Sequence, residues 1–93
     1  MKWYAYIGFF FAGAFIANSI PHLVHGISGQ EFQTPFARPS SSILNVLWGF
    51  FNLAIGYIII TALKGIAFSF SRRIAITALG FLAMAVNLAI VFS

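Results

Sequence analysis

Nearly every charge in this chain is confined to its start and to two connecting stretches, and three long apolar runs remain between them. The runs cover residues 3–25, 42–63 and 74–92. Each has about the 20 residues needed to cross ~30 Å of hydrocarbon. None holds a Lys, Arg, Asp or Glu, and a charge at mid-span costs at least ~2.5 kcal/mol. The pattern predicts an all-α integral membrane bundle of three transmembrane helices, a single membrane domain over residues 1–93. With 61% hydrophobic and 6% charged residues the chain is far from the ~25% charged composition of a soluble domain.

The start of the chain also resembles a secretory signal, since Lys2 precedes an apolar run with small residues at Ala12, Ala14 and Ala17. That run outlasts a signal's ~7–15-residue apolar core, so the first segment is read as a retained helix. Lys2, Lys64, Arg72 and Arg73 fall on one side of a three-span chain. On the other side Arg38 and Glu31 cancel. The positive-inside rule gives an N-in/C-out topology, with a 16-residue outer loop at Gly26–Ser41 and a basic inner turn at Lys64–Arg73. Trp3, Tyr4 and Tyr6 are placed at the inner interface, and Trp48 nearer the outer one.

The outer loop carries two breaker pairs. Gly26 and Gly29 suit a helix end, and Pro35 and Pro39 forbid regular helix. Phe32 and Phe36 are expected to dip into the outer headgroups, and Ser40, Ser41 or Ser42 to cap the second helix.

The polar residues inside the runs gather in the outer half. Asn18, His22 and His25 follow 4-3 spacing on the first helix, and Asn45, Gly49, Asn52 and Gly56 follow 4-3-4 on the second. Thr77, Gly80, Met84 and Asn87 follow 3-4-3 on the third. Small residues and amides on one helical face are the usual makings of a packing seam in lipid. The sharper reading is a polar pocket walled by Asn18, His22, His25, Asn45, Asn52 and Asn87. Pro21 frees the Ala17 carbonyl beside the histidines, and Asn18 is placed to orient the His22 ring. Glu31 and Arg38 are the loop residues that could join the pocket.

His22 and His25, three apart, are the candidate metal ligands. Zinc wants at least three protein ligands, and Glu31 is the only carboxylate that could supply the third. No cofactor is required by the sequence; haem, a metal or a quinone are the groups such a site could hold. The lack of Cys removes thiolate sites and disulfides, and one loop Glu gives no acid/base pair, so no enzymatic activity is expected. The net charge of +4 is read as topological, without a nucleic-acid partner.

Asn18-Ser-Ile-Pro-His-Leu-Val-His-Gly-Ile-Ser-Gly, Phe32-Gln-Thr-Pro-Phe-Ala-Arg-Pro and Asn45-Val-Leu-Trp-Gly-Phe-Phe-Asn carry the most distinctive motifs. On its Pro-His-x-x-His-Gly and Thr-Pro-Phe-Ala elements the chain resembles an uncharacterised family of small bacterial integral membrane proteins. The resemblance spans residues 18–57 and implies a place in the bacterial inner (plasma) membrane. Three helices cannot cover one another, so an accessory or assembly subunit of a larger membrane complex is the expected function. A homo-oligomeric small-solute or ion carrier lined by Asn and His is the alternative, and a haem-, metal- or quinone-binding membrane anchor the second.

Overall fold

The computed structural model describes residues 3–66 and 70–92, without the side chains of Arg38 and Ile66. Lipid offers no partner for backbone N–H and C=O groups, so each apolar run closes its hydrogen bonds within itself. The result is α1 (Trp3–Ile27), α2 (Ser42–Leu63) and α3 (Phe70–Val91). All three are long and apolar enough to cross a membrane, which makes this a multi-pass membrane protein.

Two helix boundaries move outward from their expected places. α1 runs on through Pro21 and His25 to Ile27, and its last turn closes as a Schellman motif. Gly29 takes φ 75°, its N–H donates to the Gly26 carbonyl at 3.1 Å, and Gln30 N–H donates to the His25 carbonyl at 2.8 Å. Gly26 is therefore inside the helix, where a side chain would strike Val46 and the Ser42 carbonyl of α2. α3 begins at Phe70, so Arg72 and Arg73 belong to its first turn and not to a loop. Arginine is a good helix former whose long stem can reach the interface, so it need not end a helix. Lys2 and residues 67–69 of the expected inner turn lie outside the described residues.

The connection between α1 and α2, expected as a non-helical loop, carries two short strands. Strands β1 (Phe32–Thr34) and β2 (Ala37–Ser40) pair antiparallel, Phe32 with Ser40 and Thr34 with Ala37, around Pro35–Phe36. A hydroxyl chain ties the tip. Ser40 Oγ donates to the Ala37 carbonyl at 2.8 Å, so it accepts from Thr34 Oγ1 at 2.6 Å. Thr34 Oγ1 in turn accepts from Phe36 N–H at 3.1 Å. Ser41 then caps α2, its Oγ accepting from Leu44 N–H at 3.1 Å.

α1 is the central helix. α2 packs antiparallel on one side of it and α3 parallel on the other, while α2 and α3 make at most marginal contact with each other. The buried face of α1 is mostly small, with Ala5, Ala12, Gly13, Ala14 and Ala17 beside Phe9, Ser19 and His22. α2 buries Asn45, Gly49, Asn52 and Gly56, the stripe its spacing had marked. α3 buries Gly80 alone. There the backbones meet, since a Cβ on Gly80 would strike the Phe10 carbonyl and one on Gly13 the Thr77 carbonyl. Thr61 and Thr77 return their hydroxyls to carbonyls of their own helices, those of Tyr57 and Arg73 among them.

Candidate functional site

The end of the bundle that carries the hairpin holds the densest polar packing among the described residues. Asn45, in the first turn of α2, is fully buried. Its Nδ2 donates to the carbonyls of Phe32 at 2.9 Å, Ser40 at 3.2 Å and Ser41 at 2.9 Å. Those three acceptors fix the orientation of the amide, because only the nitrogen side can face carbonyls. Its Oδ1 therefore points the other way, toward α1, and lies 2.8 Å from His22 Nδ1.

That contact decides the histidine's tautomer. An amide oxygen can only accept, so His22 Nδ1 carries the hydrogen and donates it. In the neutral ring Nε2 then holds a lone pair. Nε2 has no protein partner among the described residues, and His22 lines a cavity of about 330 Å³. The cavity is closed by the hairpin through Gln33, Thr34 and Pro35, by Trp48 of α2, and by Leu88, Val91 and Phe92 of α3's end. It falls within the ~300–1,000 Å³ range of small-molecule sites.

Asn18 also faces this cavity, but it does not orient His22 as its spacing suggested. Its Nδ2 donates to Asn52 Oδ1 at 3.2 Å, and Asn52 Nδ2 donates to the Trp48 carbonyl at 2.8 Å. Asn52 sits one full heptad deeper on α2 than Asn45, at the level of Asn18, and takes the nearer partner. The helical pairs are thus Asn18–Asn52 and His22–Asn45, two rungs between the same helices.

His25 is held differently. Its Nδ1 donates to the Pro21 carbonyl at 2.7 Å, and its ring stacks on Phe32 at 4.2 Å with 8° between planes. The His22 ring tilts against the same phenyl at 5.4 Å, and Phe92 meets it at 5.0 Å. Phe32 is therefore a wedge between the histidines and α3, not a headgroup anchor as expected. The strand pairing turns it inward, while Phe36 at the hairpin tip stays exposed against Trp48.

Three expected members are elsewhere. Asn87 is exposed on α3. Ten residues at about 100° each carry it about 80° from Thr77, so the seam passes instead through Leu88 and Val91, which do reach the cavity. Glu31 is exposed, and Arg38 lies on β2 with its side chain outside the described residues. Among the described residues no group of three or more His, Cys, Asp or Glu comes together. Two imidazoles with no third ligand beside them among the described residues fall short of a zinc site.

Phe32, Trp48, Thr34 and Gln33 are the site residues that sequence reasoning missed as such. The Thr-Pro-Phe element preceding a serine run is the signal that could have revealed the turn, since Thr before Pro is a frequent side-chain-to-backbone turn former. No protein-family profile, curated protein or solved structure matches the chain.

Proposed function

We propose that this chain is a non-enzymatic subunit of a larger bacterial inner-membrane assembly, and that it binds a small uncharged ligand at its hairpin end. One observation carries the binding. A buried asparagine fixes the His22 ring through Nδ1 and leaves Nε2 bare, and His22 lines a walled cavity. A fixed acceptor of this kind selects a ligand with a hydroxyl to donate. Trp48 and Phe92 offer flat apolar walls on the same cavity. A hydroxylated ring of the quinol class meets both demands, and Asn18 and Gln33 offer amides for a second polar group. By the positive-inside rule the cavity opens to the outer side.

A separate observation favours the assembly. α3 leaves its outward face almost wholly uncovered, with Leu79, Leu82, Val86 and Ile90 exposed, and it presents Asn87 there. An amide turned away from its own bundle is the usual means of bonding to a neighbouring helix in lipid. The carrier reading draws less support, because Asn18 and Asn52 bond each other and leave no row of free amides.

Native mass spectrometry from nanodiscs separates the two halves of the proposal. The wild-type protein should carry an added short-chain quinol one-to-one and co-purify with a larger assembly. His22→Ala should lose the quinol and keep the partner, and Asn87→Leu should do the reverse. Equal quinol retention in wild type and His22→Ala would remove the ligand site. A wild-type protein that is monomeric and partnerless would remove the assembly.

A further inference from the structure

Away from the hairpin, at the end where Lys64, Arg72 and Arg73 gather, α2 and α3 stand apart on the surface of α1. The gap between them is a groove of about 450 Å³. Phe9 and Ile16 form its floor, Ile60 one wall, and Ile74 and Phe81 the other. Thr77 also faces it, but its hydroxyl is committed to the Arg73 carbonyl at 2.8 Å, so among the described residues Arg73 alone brings a free hydrogen-bonding side chain to the groove. The groove follows α3 from Arg73 to Phe81, eight helical steps or about 12 Å at 1.5 Å per residue.

One charge closes the groove. Arg73 lines its mouth, with its guanidinium carbon 5.6 Å from the centre of the Phe70 ring. Its Nε is buried and has no hydrogen-bond partner among the described residues. A buried, charged N–H without an acceptor is a costly arrangement, and guanidinium is shaped to take two oxygens of a phosphate at once. In a bilayer a long apolar groove open to the side is filled by hydrocarbon. The groove thus asks for a molecule that is apolar along about 12 Å and anionic at one end.

We propose that this groove is a binding site for a single anionic phospholipid, with its phosphate on Arg73 and one acyl chain lying between α2 and α3. The basic end of the molecule supplies the selectivity. Lys64 and Arg72 stand close in sequence to Arg73, and Arg72 approaches the Tyr6 hydroxyl at 3.4 Å across to α1. A headgroup with net negative charge gains from all three cations, whereas a zwitterionic one presents its own cation to them. The lipid would also fill the gap beside the close contacts that Gly13 and Gly80 make between α1 and α3.

The test is lipid retention by the whole protein, using phosphatidylglycerol and phosphatidylcholine of matched chains mixed equally in nanodiscs. After release into mild detergent, native mass spectrometry should find one phosphatidylglycerol retained, favoured at least fivefold over phosphatidylcholine. Arg73→Gln should erase the preference, and Arg73→Lys should keep part of it, since lysine offers the charge without the fork. Ala78→Phe, which fills the groove from its α3 wall and leaves Arg73 in place, should abolish retention of either lipid. Equal retention of the two lipids by the wild-type protein would overturn the site whatever the variants do. So would a wild-type dimer that excludes lipid, because a second copy would then be the groove's occupant.

Discussion

α1 meets its two neighbours by different means. Toward α2 it is joined by directional bonds, with His22 on Asn45 and Asn18 on Asn52. Toward α3 it is joined mainly by shape, with Gly13 and Gly80 letting backbone rest on backbone beside one long Arg72–Tyr6 bond of 3.4 Å. Bonds of the first kind set register, because a one-residue slip would separate every donor from its acceptor. Contact of the second kind sets distance and leaves register freer. The polar seam also ends in the hairpin, since Asn45 grips the Phe32, Ser40 and Ser41 carbonyls with the same amide that orients His22. The α1–α2 pair is thus the part of the molecule in which a site can be held to hydrogen-bond precision. α3 serves it as a wall, through Leu88 and Val91.

The contrast can be broken first on the glycine side. Gly80→Val should have the largest effect, at or above the upper end of the ~1–3 kcal/mol usual for overpacking, because the obstacle is backbone and cannot rotate away. Denaturation in mixed SDS micelles measures the loss. With no native cysteine, a Tyr6→Cys/Arg72→Cys pair reports it directly, and cross-linking should fall while α1–α2 pairing persists. Asn45→Ala comes next, at about 2 kcal/mol, because it strands the His22 N–H and the Phe32 and Ser40 carbonyls together. Protease sensitivity of the hairpin should rise in the same variant. Asn52→Ala should be mildest, near the ~0.6 kcal/mol average for such bonds in lipid, since it frees one Asn18 amide hydrogen and nothing in the hairpin. Should Asn52→Ala prove as damaging as Asn45→Ala, the two rungs are equivalent and the hairpin gains nothing from the upper one.

Much of this architecture is legible in the sequence and some of it is not, for physical reasons. The absence of charge over three runs marks the helices because the hydrocarbon penalty is large and local. The stripe from Asn45 to Gly56 is legible because a helix repeats its face at fixed spacing. The third stripe misleads at its far end, since a 3-4-3 run drifts off the seam by Asn87. The pairing of His22 with Asn45 is not legible at all. Which amide meets which imidazole depends on how two antiparallel helices are offset, and that offset is set by the hairpin between them. The hairpin in turn rests on two hydroxyls, Thr34 and Ser40, whose partners are fixed only once the strands meet.

The central claim is that Asn45 holds His22 with its hydrogen on Nδ1 and its Nε2 bare. Nitrogen-15 NMR of histidine-labelled protein in nanodiscs at alkaline pH reads this directly. The account predicts a protonated Nδ1 and an unprotonated Nε2 for His22, with the preference lost in Asn45→Ala. A hydrogen on Nε2 in the wild-type protein, or a tautomer indifferent to Asn45→Ala, would contradict it.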